Sequence, residues 1–312
     1  QFVTGGSNAN MVAMLAARDW KYQESRHHGL TDINKALRVY VNDQAHYSFS
    51  RGMQLLGYGT DNLVKVNSHA NGKMDVEDLR TQIEADKAAG HVPLFVAATA
   101  GTTVLGAFDP INAIADVAEE HDLWLHMDAA WGGATMLSEK HRHLTEGRER
   151  ARSATWNPHK TMGMHLPTST IIFRDQGVMQ HSCGSGSTEY IFHDYENEAF
   201  DMGPQSLQCG RQVDSLKLWL SWKFYGSDGY AKRTDRMMEQ AKIAREFIDN
   251  HPRLHLMREP QYINLVLQYV PEGEEPGTHL NELNEAARNK LVQSGESLVN
   301  FSFLKDGNFI FR

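Results

Sequence analysis

The stretch that decides the fold class is Leu123-Trp-Leu-His-Met-Asp-Ala-Ala-Trp-Gly-Gly133. Its apolar first half is typical of a strand buried in a sheet, and small residues follow Asp128, where we expect the strand to end. Ligands of α/β sheets bind beyond the carboxyl ends of the strands, which is the position of Asp128. The segment alone leaves two interpretations open: Asp128 binds a ligand, or it caps the next turn.

Runs of similar apolar character alternate with helical patterns on both sides of this stretch. The predicted strands are Ala36–Val41, Leu63–Val66, Leu94–Ala98, Leu123–Met127, Ser153–Trp156 and Thr170–Phe173. The predicted helices are Asn10–Tyr22, Tyr47–Leu56, Val76–Ala89 and Ile111–His121. This alternation predicts an α/β fold with a mostly parallel sheet and helices on both of its faces.

The pattern changes around Gly226–Gly229. Beyond it we expect a smaller α+β region, with helices at Tyr230–Asn250 and His279–Val292 and strands at Ile263–Tyr269, Leu298–Phe303 and Asn308–Arg312. We therefore predict a large domain at residues 1–226 and a small domain at residues 227–312. Because Gln1 directly precedes a glycine-rich turn and Arg312 ends an apolar run, we expect both domains to be truncated pieces of a longer protein.

The composition argues against several classes of protein. The 312 residues include 31 Lys and Arg against 39 Asp and Glu, and the formal charge of −8 is unlike that of a nucleic-acid platform or a polybasic membrane-surface protein. No run of about 18 apolar residues predicts a transmembrane helix, and no signal peptide is visible. The two cysteines, Cys183 and Cys209, cannot form a disulfide framework, so we expect free thiols and a cytoplasmic protein.

A glycine-rich turn, Thr4-Gly-Gly-Ser-Asn8, runs directly into an apolar helix. Glycines let backbone N–H groups approach an anion, and the helix N-terminus adds partial positive charge, so a phosphate group would fit. An ordinary helix cap by Ser7 or Asn8 explains the same residues and stays open. The sequence has neither a Walker-A lysine nor a G-x-G-x-x-G pattern, so a simple phosphate is favoured over a nucleotide.

A lysine follows another predicted strand in Thr155-Trp-Asn-Pro-His-Lys160. Pro158 ends the strand and fixes the turn. A lone lysine is usually on the solvated surface, whereas Lys160 lies between Trp156 and Met162 in the sequence, which makes it a candidate for a desolvated amine. Desolvation lowers the pKa of an amine and frees it to form an imine.

Together these three segments predict one apparatus. A phosphate-binding turn, an acid beside a ring nitrogen and a lysine that forms a Schiff base are what pyridoxal phosphate requires from a protein. An acid such as Asp128 keeps the pyridine nitrogen protonated, and the protonated ring then withdraws electrons from the bond that breaks at the substrate α-carbon. We therefore predict pyridoxal 5′-phosphate as the cofactor.

Motifs along nearly the whole chain resemble one known family. They are Gly5-Gly-Ser-Asn-Ala-Asn10, Asp43-Gln-Ala-His-Tyr-Ser48, Ala98-Thr-Ala-Gly-Thr-Thr103, Gly106-Ala-Phe-Asp-Pro110, His126-Met-Asp-Ala-Ala-Trp-Gly-Gly133, Asn157-Pro-His-Lys160 and Gln208-Cys-Gly-Arg-Gln-Val-Asp214. In this order they resemble the group II pyridoxal-phosphate-dependent decarboxylases, and within them the glutamate, aspartate and cysteine-sulfinate decarboxylases. The resemblance implies fold type I, the aspartate-aminotransferase-like fold of pyridoxal-phosphate enzymes.

The resemblance also implies roles around the cofactor ring. Lys160 is expected to form the Schiff base, Asp128 to pair with the pyridine nitrogen and Ala130 to lie against one face of the ring. His46 is expected to stack on the opposite face, although the residue type alone is equally typical of a core histidine. His159, beside the lysine, is expected to carry protons.

The phosphate and its surroundings are assigned by the same resemblance. Gly6, Ser7 and Asn157 are expected to hold the phosphate. Thr103, and with less support Thr99, are expected to lie near the cofactor.

Two further positions concern the substrate and the assembly. In the family a loop that matches Ser185–Glu198 brings a tyrosine over the neighbouring subunit's site, so the resemblance implies a homodimer and assigns Tyr190 as the proton donor to the carbon left by CO₂. Loop packing is the alternative for Tyr190. Arg312 matches an arginine that binds the substrate carboxylate, a task suited to a guanidinium.

The expected reaction is α-decarboxylation of an acidic L-amino acid, with glutamate favoured and aspartate or cysteine sulfinate next. Three alternatives remain: an aromatic or 2,4-diaminobutyrate decarboxylase, an aldehyde synthase of the same family, and an inactive fragment with a structural role. The histidine pairs at residues 27–28 and 141–143 lack accompanying ligands at metal-binding spacing, so we expect no metal.

Overall fold

The computed structural model describes residues 1–184 and 203–312. Its strands are β1 (Phe2–Val3), β2 (Leu37–Asn42), β3 (Leu63–Val66), β4 (Val92–Thr99), β5 (Trp124–Ala129), β6 (Ser153–Trp156), β7 (Ser169–Phe173), β8 (Leu254–Leu256), β9 (Leu267–Tyr269), β10 (Phe301–Phe303) and β11 (Phe309–Phe311). Its α-helices are α1 (Gly6–Lys21), α2 (Ser25–His28), α3 (Ser48–Leu55), α4 (Val76–Ala88), α5 (Ile111–Glu120), α6 (Val178–Cys183), α7 (Asp214–Asp249) and α8 (Asn281–Ser294).

The larger sheet has seven strands in the order β1-β7-β6-β5-β4-β2-β3. Strands β3, β2, β4, β5 and β6, taken in their order in the sheet, pair in parallel. At the edge beyond them β7 pairs antiparallel with β6, and β1 pairs antiparallel with β7. The predicted α/β fold with a mostly parallel sheet is therefore confirmed. The register places Asp128 beside both Thr99 and Thr155, so the ends of three neighbouring strands meet at one place.

Helices cover both faces of this sheet. Side chains that follow one another along a strand point to opposite faces, and two buried cores result. Phe95 and Trp124 lie in the core that α1 and α3 cover, while Val96 and Leu125 lie in the core that α4 and α5 cover. Burial on both faces explains why the central strands are almost continuously apolar.

The predicted bounds of most elements lie within two residues of the observed ones, with exceptions at α1, α7 and some short strands. Helix α1 begins at Gly6, four residues earlier than predicted, because the chain turns helical directly after the first glycine, Gly5. Helix α7 begins at Asp214 instead of Tyr230, and the backbone leaves the helical region at Gly226, with φ 65° and ψ 176°. This left-handed φ favours glycine and separates two helical segments.

A smaller antiparallel sheet has the order β10-β11-β9-β8, and α8 packs against β11. Only residues 267–269 of the predicted strand Ile263–Tyr269 are strand, because Ile263 packs against the core of the larger sheet instead. Strand β8 is absent from the sequence-based prediction. The division into domains at residue 226 stays a prediction.

Two findings concern the predictions made above about transmembrane helices and cysteines. Within the described ranges, no helix combines the length and the apolar character needed to cross a membrane. Cys183 and Cys209 are free thiols, as predicted. Burial raises the pKa of the Cys183 thiol to about 11, so little of the reactive thiolate forms at neutral pH.

Candidate active site

A cavity of about 190 Å³ lies at the carboxyl ends of the central strands. Nine of the eleven residues predicted for the site line it: Gly6, Ser7, His46, Thr103, Asp128, Ala130, Asn157, His159 and Lys160. Arg312 lines a second cavity of about 540 Å³, which shares Thr103 and Lys160 with the first. Tyr190 lies outside the described residues. The structure thus brings together residues that are up to 154 positions apart, from Gly6 to Lys160, whereas their roles stay predictions.

The glycine turn and Asn157 form one wall of the cavity. A Cβ atom at Gly6 would lie 2.6 Å from the side-chain nitrogen of Asn157, so only glycine allows this approach. Asn157 is buried, and its Oδ1 accepts a hydrogen bond from the Ser169 hydroxyl, which directs Nδ2 towards the turn. An amide nitrogen and the N-terminus of α1 therefore face the same space, as an anion requires.

Asp128 forms the acidic side of the cavity and is only 4% exposed. Its Oδ1 accepts a hydrogen bond from the Ala130 backbone N–H at 3.1 Å, and its Oδ2 accepts one from Asn10 Nδ2 at 2.8 Å. The bond from Ala130 closes the turn after the strand, as the capping interpretation expects, and the bond from Asn10 joins the carboxylate to a helix 118 residues away in the sequence. Ligand binding by Asp128 stays a prediction.

Lys160 projects into the cavity that Asp128 and Gly6 also line. The residue is exposed in the open cavity, while the protein around its amine removes part of the surrounding water. This desolvation lowers the pKa of the Lys160 amine, and the charge of Asp128 acts in the opposite direction. More of the amine is therefore uncharged and nucleophilic at neutral pH than in a lysine on the outer surface.

The two histidines of the site are both half-buried. Desolvation lowers the pKa of His46 and of His159, so the neutral ring dominates at pH 7 in each case. Nδ1 of His46 accepts a hydrogen bond from the Ser48 backbone N–H at 3.2 Å, which leaves the ring proton on Nε2. Nδ1 of His159 lies 2.7 Å from the Thr168 carbonyl oxygen, which holds the ring beside Lys160.

Thr99 carries a buried hydroxyl that has no hydrogen-bond partner in the described part of the chain. Its backbone N–H donates to Asp109 Oδ2 at 2.7 Å, and the Asp109 N–H donates to the Thr99 carbonyl at 2.9 Å. Burial raises the pKa of Asp109 to about 6, against the hydrogen bonds that lower it. Asp109 therefore fixes the end of β4 and leaves the hydroxyl on the cavity wall available to a ligand.

Arg312 is half-buried at the second cavity. Its Nη1 donates to the Thr103 carbonyl at 2.6 Å, whereas its buried Nε has no partner among residues 1–184 and 203–312. Asn264 holds the same loop, because its Nδ2 donates to the carbonyls of Thr103 and Val104 at 3.0 Å each. The guanidinium is thus attached to the cavity wall while part of its hydrogen-bonding capacity is unused.

Sequence reasoning missed residues whose role depends on distant contacts. Asn10 touches Asp128, and Trp131 lines both cavities and donates from Nε1 to Asn264 Oδ1 at 2.7 Å. The spacing of four residues puts Asn10 on the same helix face as Gly6, but it carries no signal for the contact with Asp128. No local signal pointed to Asn264.

Three features of the cavity suit the predicted cofactor. Gly6 leaves a space beside Asn157 that a Cβ would fill, Thr99 offers an unpartnered hydroxyl, and Lys160 supplies a partly desolvated amine opposite Asp128. The residues fit a small phosphate-bearing pyridine aldehyde. Among residues 1–184 and 203–312 there is no group of three or more His, Cys, Asp or Glu that could hold a metal ion. Fold and site together define a pyridoxal-phosphate protein of the α/β class.

The chain belongs to the pyridoxal-dependent decarboxylase family, whose conserved domain matches residues 2–270. Cysteine sulfinic acid decarboxylase from Rattus norvegicus is 38% identical over 309 residues, which are 96% of this chain and 62% of the relative. Glutamate decarboxylase from Drosophila melanogaster is 41% identical over 311 residues, which are 95% of this chain and 60% of the relative. The predicted family is confirmed, and with it pyridoxal 5′-phosphate as the family's cofactor.

A solved structure shows the same fold. Mouse CSAD in apo form matches with a TM-score of 0.94 at 37% sequence identity, over 100% of this chain and 66% of that chain. The predicted fold type I is therefore confirmed. This chain spans about three fifths of the length of the two curated relatives, at 62% and 60%.

Proposed function

We propose that the protein decarboxylates an acidic L-amino acid at its α-carbon, with glutamate as the favoured substrate and cysteine sulfinate or aspartate next. The observation that carries this proposal is Arg312. Its guanidinium lines the 540 Å³ cavity that reaches Lys160, and it has no carboxylate partner in the described part of the chain. A guanidinium with unused donors at the mouth of an amine-bearing cavity suits a substrate with a second acidic group. The relatives named above act on glutamate and on cysteine sulfinic acid.

The residues of the first cavity would hold the cofactor, which supplies, when bound, an electron sink for the bond that releases CO₂. Gly6, Ser7 and Asn157 would bind the phosphate, and Lys160 would provide the amine that attaches the aldehyde. Asp128 would hold a proton at the ring nitrogen.

In this proposal the neutral side chains of His46 and His159, together with Tyr190, transfer protons near the reacting carbon. His46 carries its ring proton on Nε2, because Nδ1 accepts from the Ser48 backbone, so Nε2 can donate. His159 lies beside the Lys160 amine and can exchange protons with it. Tyr190 is proposed as the donor to the carbon left by CO₂, from the resemblance alone.

We also propose a homodimer in the cytoplasm. Its support is an apolar stripe on the first segment of α7, formed by Leu216, Trp219, Leu220 and Phe224. Each of these side chains is at least 50% exposed, and their spacing puts them on one face of the helix. An exposed apolar stripe of this kind is typical of a surface that a partner covers.

The experiment that tests the activity is a measurement of CO₂ release from glutamate, aspartate, cysteine sulfinate, 2,4-diaminobutyrate and DOPA, with the full-length protein. We expect turnover of one or more of the acidic substrates. Replacing Arg312 by methionine should lower kcat/KM for that substrate at least tenfold, which is about 1.4 kcal/mol of binding.

The matched control for that variant is Arg258→Met, because the Arg258 guanidinium is paired with Asp306 at 2.6 Å, away from both cavities. It should leave kcat/KM unchanged. Preferred turnover of DOPA or diaminobutyrate would contradict the acidic substrate, and no CO₂ from any substrate would favour an inactive protein.

A further inference from the structure

A chain of buried hydrogen bonds leads to Asp128 through the core. Trp124 Nε1 donates to Ser153 Oγ at 2.8 Å, and Ser153 Oγ lies 2.8 Å from His126 Nδ1. His126 Nε2 lies 3.1 Å from Asn10 Oδ1, and Asn10 Nδ2 donates to Asp128 Oδ2 at 2.8 Å. All five side chains are less than 5% exposed, so water does not replace any of these bonds.

The direction of each bond follows from the acceptor at its end. The Asp128 carboxylate only accepts, so the Asn10 amide turns its NH₂ towards it and its oxygen towards His126. An amide oxygen also only accepts, so His126 carries its proton on Nε2. Burial lowers the pKa of His126 to about 4, so Nδ1 is unprotonated at neutral pH and accepts from the Ser153 hydroxyl. Every donor in the chain, from Trp124 onwards, therefore points towards Asp128.

Asn10 is the fixed point of this arrangement. Besides the bonds to Asp128 and His126, its Oδ1 accepts from the Thr155 hydroxyl at 2.6 Å, and its Nδ2 donates to Ser48 Oγ at 2.9 Å. The two N–H groups and the two lone pairs of the amide are all used. Rotation of the amide would leave several buried groups unpartnered, which is costly, so its orientation is locked.

We propose that Asn10 is the positioning residue for Asp128: it holds the carboxylate in one orientation, and it thereby sets how tightly the ring nitrogen of the cofactor is bound. The proposal rests on the proposed function, because Asp128 has this task only if pyridoxal phosphate occupies the cavity. Gly6 lies one helical turn before Asn10 in α1, so a single rigid turn joins the phosphate-binding glycine to the residue that orients the acid.

Other charged groups also act on Asp128. Lys160, His46 and His126 are the titratable side chains that interact with its charge. Both histidines are neutral at pH 7, so the Lys160 ammonium is the cation that remains when Asn10 is removed. Lys160 still attracts the carboxylate in that case, so we expect the loss of Asn10 to change the orientation of Asp128 without emptying the site of charge.

The test uses Asn10→Leu, which keeps the shape of the side chain and removes its hydrogen bonds. Carbon-13 NMR of aspartate-labelled apo protein at pH 7, with Asp128→Asn to assign the signal, should show a changed chemical shift of the Asp128 carboxyl carbon, because the bond from Asn10 is lost. The dissociation constant for pyridoxal phosphate should rise at least tenfold. Thr155→Val, which removes only the donor to Asn10 Oδ1, should cause a smaller shift in the same direction.

The matched control is Asn284→Leu. Asn284 is an equally buried asparagine, bonded to the Tyr269 and Leu280 carbonyls in the smaller sheet region. It should lower the melting temperature but leave both readouts unchanged. An unaltered Asp128 carboxyl signal in folded Asn10→Leu and Thr155→Val would overturn the inference. Failure of the wild-type protein to bind pyridoxal phosphate would instead overturn the proposed function, and the NMR measurement on apo protein would still decide the role of Asn10.

Discussion

The chemistry of the site depends on single side chains that the fold places in unusual surroundings. Lys160 lies in a cavity instead of on the outer surface, and Asp128 is buried with hydrogen bonds to both oxygens. Their places in the site were predictable, because Asp128 stands at the end of an apolar strand and Lys160 follows the next strand of the chain by four residues. Asn10 was not predictable as a partner of Asp128, since the contact spans 118 residues and nothing in the helix pattern around Asn10 reveals it.

Replacement of Lys160 by alanine tests the amine. The variant should fold but lose the visible absorbance of the bound cofactor after dialysis, because no other lysine among residues 1–184 and 203–312 lines the cavity. Borohydride reduction followed by peptide mass mapping should label Lys160 in the wild-type protein. Lys140→Ala, at an exposed lysine paired with Asp235, is the control and should leave the spectrum intact. A normal spectrum in Lys160→Ala would remove the basis of the lysine assignment.

The buried His126 makes stability depend on pH. Its pKa is about 4 in the folded protein against 6.5 for an unperturbed histidine, so only the unfolded state binds the proton between these values. Stability should therefore be lost as the pH falls through this range, by about 2–3 kcal/mol between pH 7 and pH 4.5. Asp109, with its pKa raised to about 6, acts in the opposite direction over part of the same range.

A comparison of variants separates the two effects. Urea unfolding at pH 7 and at pH 4.5 gives the loss of stability for each protein, and the loss should be about 2–3 kcal/mol smaller in His126→Gln, which cannot titrate. The exposed His255 provides the control variant His255→Gln, which should behave like the wild type. An equal loss in all three proteins would show that His126 is not the neutral, buried base described above.

At the scale of elements, regular patterns were predictable and short or irregular pieces were not. Strands β3 and β6 have the predicted bounds, because branched and apolar residues stop abruptly at turn residues. Strand β1 contains two residues and exists only because it pairs with β7, 168 positions away, so its local sequence carries no signal. The start of α1 at Gly6 conflicts with the low helix propensity of glycine, and the close approach of Asn157 explains why glycine is nevertheless required.

The two glycines before α1 offer a matched pair of substitutions. A Cβ at Gly6 would lie 2.6 Å from Asn157 Nδ2, whereas a Cβ at Gly5 would have no heavy atom within 4 Å. We expect Gly6→Ala to raise the dissociation constant for pyridoxal phosphate at least tenfold, measured by fluorescence titration, because it displaces the Asn157 amide from the phosphate. Gly5→Ala should change it less than twofold. Equal effects of the two variants would contradict the proposed phosphate site.

At the scale of the whole molecule, the larger sheet assembles one cavity from the ends of strands that are far apart in the sequence. The parallel direction of β4, β5 and β6 was predictable from the alternation of strands and helices, whereas their order in the sheet was not predicted. The contact between Asn264 and the loop at Thr103 was not predictable, because it depends on how the region after α7 packs against the sheet.

The apolar stripe on α7 makes the assembly testable. Trp219→Lys combined with Phe224→Lys should convert a dimer into a monomer, because two charges would then lie in the proposed interface, and light scattering after size exclusion measures the mass. Both side chains are more than half exposed in the single chain, so the monomer should stay folded. Leu298→Lys, at a side chain that is 84% exposed outside the stripe, is the control and should remain dimeric. A dimer of unchanged mass in the double variant would exclude the stripe as the interface.

The pairing of β1 with β7 also has a consequence for biosynthesis. Phe2 and Val3, which directly precede the glycine turn, find their partners only at Thr170 and Ser169. A ribosome adds about 5–20 residues per second, so on the order of ten seconds or more passes between the synthesis of the glycine turn and the synthesis of β7, which anchors it. The vitamin-derived cofactor of this family therefore meets a complete pocket only after more than half of this chain has been translated, and loading is expected to follow folding instead of guiding its first steps.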